Sequence, residues 1–275
     1  MSAYTPTAPA GTAWSTLAAL GPSTALMAPL EPLLAASDIG GVSAHLQAGL
    51  ASVGYAQVSG LAVMTSLAIS NVELASFSAF WRGLTPDRFM ADGGAYRLRR
   101  YGAFELHRPG GLHALEHAPY EQSRDVNPLN GGVQREFDPL EPGFARHAVL
   151  EKLLLRLADV YDALEGQRVH WNIRLHPYRI RADLSEPGLP TPEGLHRDGV
   201  DYIATLMVQR HNVEGGETLV TDESHFPLWR KTLLDPMEIL VANDHRTRHS
   251  VTAVVARNPL QTAYRDVLVV AFTRV

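Results

Sequence analysis

No cysteine occurs anywhere in this 275-residue chain. Disulfides, thiolate zinc sites and cysteine nucleophiles are excluded together, so any metal must be held by imidazole and carboxylate. Lysine is almost as scarce, with only Lys152 and Lys231, and nearly all positive charge is arginine. No Lys or Arg precedes Arg82, which removes the basic n-region of a secretory signal. Long apolar runs are also missing. The most apolar N-terminal stretch, "LAALGPSTALMAPLEPLLAA", is broken by Gly21, Pro22, Pro29 and Pro32 and is too interrupted to span a bilayer. A cytoplasmic protein is expected. Nor is there a basic excess: the formal net charge of −5 lacks the footprint of a nucleic-acid partner.

What is present describes an ordinary globular chain, 45% hydrophobic and 19% charged. Residues 1–12, "MSAYTPTAPAGT", read as a flexible leader, and residues 13–275 as a single domain. Two helices are expected early, over "VSAHLQAGLASV" and, behind an Asn71 cap, over "NVELASFSAFWRGL", with a strand at "YAQVSGLAV" between them. The clearest helix is "FARHAVLEKLLLRLADVYDALEG" (144–166). Its Leu150, Leu153, Leu154, Leu157, Val160, Tyr161 and Leu164 recur at helical spacing, and Gly166 supplies the stop.

Beyond Gly166 the period changes. "VHWNIRLH" alternates His170, Asn172, Arg174 and His176 against Trp171, Ile173 and Leu175. Short strands follow at "YIATLMVQR", "TLVTD", "MEILVAND", "HSVTAVVAR" and "YRDVLVVAFTR", separated by turns such as "NVEGGE". This pattern suggests a β-sandwich or jelly roll. The expected fold class is α+β, a double-stranded β-helix (jelly roll) core with flanking N-terminal helices.

The chemistry begins at "PEGLHRDGVDYI" (192–203), where His196 and Asp198 stand two apart and would share one face of a strand. With 12 His and 29 acidic residues in the chain, such a pair also arises by chance, so the weight falls on a third ligand. "ILVANDHRTRHSVTAV" supplies His249 at the start of a strand, preferred over His245, which sits inside the preceding turn. Two imidazoles and one carboxylate with the remaining positions open form the facial triad of non-haem Fe(II) oxygenases. A dicarboxylate cosubstrate would then need a cation for its far carboxylate, and arginine matches that group bidentately. Arg265, at the mouth of the apolar last strand, is the candidate, with Arg257 the runner-up.

With these pieces placed, "TPEGLHRDGVDYI", "RHNVEGGETLV", "NDHRTRHSVTAV" and "YRDVLVVAF" resemble the bacterial 2-oxoglutarate/Fe(II)-dependent dioxygenases that include L-isoleucine dioxygenase. "YRLRRYGAFEL" and "NPLNGGVQREFDPLE" also look like this family, and the resemblance covers roughly residues 50–275. It implies His196, Asp198 and His249 on iron and Arg265 on 2-oxoglutarate, with O2 as the second cosubstrate. It further implies oxidation of an unactivated C–H bond in a free L-amino acid or a derivative, by hydroxylation or by desaturation or ring closure. Arg97, Arg99, Gln122, Asn127 and Arg135 are candidate contacts to that substrate, with Arg100 and Asn130 beside them. A homodimer is compatible with this reading; a nucleic acid or membrane partner is not expected. Two other readings share the motif: a cupin-type metal enzyme without 2-oxoglutarate, and a non-catalytic jelly-roll binding module.

Overall fold

The computed structural model describes residues 39–90, 92–124, 131–183 and 186–275. The expected leader at 1–12 and the boundary at residue 13 lie outside the described residues. In chain order the elements are α1 (Ile39–Ser52), β1 (Tyr55–Val58), α2 (Gly60–Ser66), α3 (Asn71–Ser78), β2 (Thr85–Pro86), β3 (Arg97–Arg99), β4 (Gly102–His107) and β5 (Gly111–Ala114). Two helices follow, α4 (Pro142–Ala145) and α5 (Ala148–Glu165). The rest is strand: β6 (Trp171–Ala182), β7 (Tyr202–His211), β8 (Val213–Gly215), β9 (Glu217–Thr221), β10 (Pro227–Thr232), β11 (Ile239–Asn243), β12 (Arg248–Val251), β13 (Val254–Ala256) and β14 (Ala263–Arg274).

The helices cover one face of a large antiparallel sheet. In α5 the apolar stripe of Leu150, Leu153, Leu154, Leu157 and Val160 is fully buried, each such side chain contributing about 1.5–3 kcal/mol of burial. Gly166 ends the helix in the left-handed region, φ 69°, as a C-terminal glycine should. Asp162 then ties α5 to the next strand, its Oδ1 accepting from Trp171 Nε1 at 2.8 Å and from the Val169 amide at 3.1 Å. Period-two alternation decides what faces the helices. Trp171, Ile173 and Leu175 of β6 join Tyr202, Ala204 and Leu206 of β7 and Leu268, Val270 and Phe272 of β14 in the main core. The intervening residues of the same strands, His176, Tyr178, Thr205, Arg265, Val267 and Val269, turn to the opposite face and line a cavity.

The α+β class is observed; the jelly roll is not. The large sheet has nine strands, ordered β1-β11-β7-β14-β6-β3-β2 with β4 also on β6 and β5 on β4. A separate sheet holds β10-β9-β12, and β8 pairs with β13 in a ribbon. Among the described residues no ladder joins these sheets into a closed barrel. The physical reason lies at the edges. β1 extends the large sheet beyond β11, and β2 to β5 extend it beyond β6, so it ends in edge strands instead of wrapping around. The stretch expected to be one strand over "HSVTAVVAR" splits between Val251 and Val254. β12 goes to β9 and β13 to β8.

Local expectations are corrected in the same way. The strand at "YAQVSGLAV" stops at Val58, because the Ser59 hydroxyl accepts from the Ala62 amide and starts α2. Ser70, not Asn71, caps α3, in a capping box with Glu73. The arginine-rich run at 96–106 divides into β3 and β4. Residues 192–201 form no regular strand: His196 makes a single bridge to His249, and a bend at Gly199 precedes β7. Among the described residues no single helix is long and apolar enough to cross a membrane.

Candidate metal centre and its cavity

Three side chains from two distant segments meet at one end of a cavity of about 470 Å³. Donor atoms of His196, Asp198 and His249 lie within 4.8 Å of one another. The bridge that brings them together is backbone. The His196 amide donates to the His249 carbonyl at 3.0 Å, and the His249 amide donates back at 2.9 Å. β12 is in turn registered on β9, with His249 opposite Val220. Nδ1 of His196 is 2.9 Å from the Gly194 carbonyl, a contact that places a proton on Nδ1 and turns Nε2 toward the carboxylates, 3.5 Å from Glu193, as the nitrogen available to a metal. Nε2 of His249 lies 3.4 Å from the Asp198 carboxylate. Burial and the neighbouring His196 push the His249 imidazole down, toward the neutral form that a metal requires. His245 points elsewhere, to Asp201 at 3.1 Å, and is largely exposed.

The short segment carrying Asp198 is held by a group that sequence reasoning passed over. Asp244, 2% exposed, accepts the amides of Asp198, Gly199 and Val200 at 3.2, 2.7 and 3.1 Å. Burial and the nearby Asp198 raise its carboxyl, and three N–H donors hold the charge in place. An Asp inside a turn at "NDHR" carries no spacing signal of its own, because its partners lie about forty-five residues away. Asp244→Asn puts an amide NH2 against those backbone donors. It is expected to lower Fe(II) affinity by about 10–100-fold, the usual cost of losing an outer-shell partner. An anaerobic Fe(II) titration checks this, and unchanged affinity would remove Asp244 from the account.

Arg265 lines the same cavity and is 2% exposed. Its Nε and Nη2 are buried with no hydrogen-bond partner among the described residues. The adjacent carboxylate is unavailable: Asp266 points to the other face of β14, where Arg179 binds it bidentately at 2.7 Å through both nitrogens. Burial and neighbouring Arg210 lower the Arg265 guanidinium to about 9, still cationic at neutral pH. Glycine leaves room beside the aliphatic part of the Arg265 side chain. A Cβ on Gly216 (φ 72°) would meet Arg210 Nη1 at 3.1 Å and Arg265 Cδ at 3.2 Å. A buried cation without an acceptor is the observation expected of a carboxylate site. Arg257, the runner-up, is exposed and pairs with Glu214 at 3.3 Å.

Of the candidate substrate contacts, Arg97, Arg99, Gln122 and Arg135 line the cavity, whereas Asn127 and Asn130 lie outside the described residues. Arg100 does not reach it; its guanidinium donates to the carbonyls of Gly83 and Pro139. His176, read as a strand histidine, is buried on the cavity floor beside Arg99.

Comparison with known proteins gives a consistent result. The model of the 2OG-Fe dioxygenase family matches residues 78–271. A 3(1)-hydroxy-L-isoleucine 4-dioxygenase of Pantoea ananatis is 28% identical over 182 residues, 65% of this chain and 73% of the relative. An L-isoleucine-4-hydroxylase of Bacillus thuringiensis is 24% identical over 186 residues, 66% of this chain and 76% of the relative. Among solved structures, a bsmA homologue from Methylobium petroleophilum is 33% identical with a TM-score of 0.77, covering 84% of this chain and 92% of that one.

Proposed function

The chain belongs to the 2OG-Fe dioxygenase family, and from that premise we propose that His196, Asp198 and His249 hold its Fe(II), that Arg265 receives the far carboxylate of 2-oxoglutarate, and that its substrate is a small free L-amino acid. Membership makes the chain an oxidoreductase and supports dependence on Fe(II), 2-oxoglutarate and O2 over the cupin-type and non-catalytic readings. One observation carries the assignment of residues. A donor set of two imidazoles and a carboxylate shares its cavity with a buried guanidinium whose Nε and Nη2 have no acceptor among the described residues.

When bound, the iron and keto acid supply the oxidising power that breaks an unactivated C–H bond. The residues position and protect. His196 offers Nε2 because Gly194 holds its other nitrogen, His249 is kept neutral by burial, and Asp198 is fixed through Asp244. His196, Asp198 and His249 would be three protein ligands to the iron, a donor set that leaves coordination positions for the cosubstrate and oxygen. Arg265 fixes the keto acid at its far end, and Val267 and Val269, beside it on the cavity wall, limit water there. The amino-acid substrate is supported by the names of the two curated relatives, both of which act on isoleucine or its hydroxylated form.

The test is anaerobic loading with Fe(II) and 2-oxoglutarate, then O2 in the presence of a panel of free amino acids. Succinate and product mass are followed together. Amino-acid-dependent succinate with a product one oxygen atom heavier is expected; a product two hydrogens lighter would assign desaturation or ring closure instead. Succinate formation that no free amino acid stimulates would contradict the substrate assignment.

A further inference from the structure

The cavity floor carries positive charge at two separate edges. β6 runs between β14 and β3, and the register aligns Arg265 with Ile180 and Ile180 with Arg97, then Val267 with Tyr178 and Tyr178 with Arg99. Neighbouring strands lie about 4.8 Å apart, so β14 and β3 are separated by roughly 10 Å. One small carboxylate cannot be clamped by Arg265 and Arg99 together.

The β3 edge is under-neutralised. Asp87 takes Arg97 Nε at 2.8 Å and lies 3.9 Å from Arg99 Nη1. Glu193 also lines the cavity and acts on Arg97, so among the described residues Arg99 has only its long contact to the shared Asp87 and Arg135 makes no ion pair. The Nε atoms of both are buried and lack an acceptor among the described residues. The partners they do have are neutral. Arg99 Nη2 meets His176 Nδ1, and Arg135 Nη2 donates to Gln122 Oε1 at 2.8 Å. Burial and the surrounding arginines hold His176 well below its ordinary value; the ring is neutral and is no counter-ion to either arginine. Aromatic rings fix both guanidiniums: Arg99 stands 3.7 Å from the Phe137 ring centre and 4.7 Å from Tyr178, and Arg135 stands 4.8 Å from Tyr120. Cation–π contacts orient a guanidinium but supply no anion.

We infer that Arg99 and Arg135 form a second anion subsite, distinct from Arg265, that takes the carboxylate of the substrate, resting on the dioxygenase reading above. The enzyme then discriminates by the free carboxylate. The acid is bound, and the same molecule with a neutral amide leaves two buried cations uncompensated.

The test uses the Fe(II)-loaded chain under anaerobic conditions with saturating 2-oxoglutarate, so that Arg265 is already engaged. Calorimetry measures binding of the common L-amino acids, of the C-terminal amides of those that bind, and of alanyl dipeptides ending in the same residues. Acids are expected to bind tenfold or more tightly than their amides. Dipeptides binding as well as free acids would assign the carboxylate to a peptide C-terminus. Arg135→Gln is expected to collapse the acid-to-amide ratio toward one, and Arg135→Lys to restore part of it; melting curves check that both fold. The wild-type ratio alone decides the matter if neither does. Equal binding of acids and amides, or no binding by any acid, overturns the inference. Succinate formation from 2-oxoglutarate and O2, measured separately with and without the same amino acids, tests the reading beneath it. Its absence under every condition contradicts the dioxygenase assignment whatever the ratio.

Discussion

Arg265→Leu is expected to lose 2-oxoglutarate binding while leaving the unliganded protein at least as stable as the parent. The two halves of this result have one cause. In the absence of ligand the Arg265 guanidinium is buried beside Arg210 with no acceptor for Nε or Nη2. The sign of the stability term follows from linkage. A base whose folded-state pKa lies below its unfolded value disfavours folding wherever it is charged, and here the ordinary value of 12.5 falls to about 9. A leucine of similar reach removes that cost. It also leaves the cosubstrate's far carboxylate buried and unpaired, a loss of about 3–5 kcal/mol, or roughly two to three and a half orders of magnitude in affinity at about 1.4 kcal/mol per tenfold. Thermal melts with and without 2-oxoglutarate check both halves. Wild type at a hundred times its Kd should gain about 2.7 kcal/mol, and the variant at the same concentration no more than about 0.4 kcal/mol. A variant that melts lower and still responds to 2-oxoglutarate would remove Arg265 from the role.

His249→Ala carries the second large effect. The substitution spares the backbone bridge, since both hydrogen bonds between residues 196 and 249 are main-chain; the fold is therefore expected to survive. Iron affinity should drop by more than about 100-fold, beyond the 10–100-fold that outer-shell partners cost. Turnover should fall with it, because two donors cannot hold the ion against water. His245→Ala is the paired control. That side chain is largely exposed and pairs with Asp201, and its loss is expected to leave iron stoichiometry intact. Iron bound per chain after gel filtration reads both variants in one experiment.

The segments legible in the sequence are those where one strong period runs uninterrupted. α5 and β14 declared themselves through spacing, and Gly166 through its αL requirement. The two-faced pattern of β6 was legible too: Trp171, Ile173 and Leu175 share the core face, whereas His176, read as an ordinary strand histidine, lines the cavity on the other. Alternation reports which face a residue occupies, however, and is silent on which strand edge meets which. For that reason the closed roll was expected and an open nine-stranded sheet with a separate small sheet was found. The same limit hid the break between β12 and β13. Nor did the spacing of His196 and Asp198 require a strand. A bend held by Asp244 presents them equally well, and the contact from 244 to 198–200 has no local signature. Asp87 was missed for the same reason, since its meaning comes only from β3 folding back beside it to bring Arg97 within 2.8 Å. Charged pairs brought together by tertiary structure are invisible to periodicity.

The most direct test of the metal centre is a crystal structure of the chain grown anaerobically with Fe(II) and 2-oxoglutarate, with iron located by its anomalous scattering. One iron is expected per chain, within about 2.0–2.2 Å of the His196 and His249 imidazoles and the Asp198 carboxylate, and with the cosubstrate's far carboxylate on Arg265. An iron bound elsewhere, or a His249 ring turned away from an iron that His196 still holds, would contradict the account.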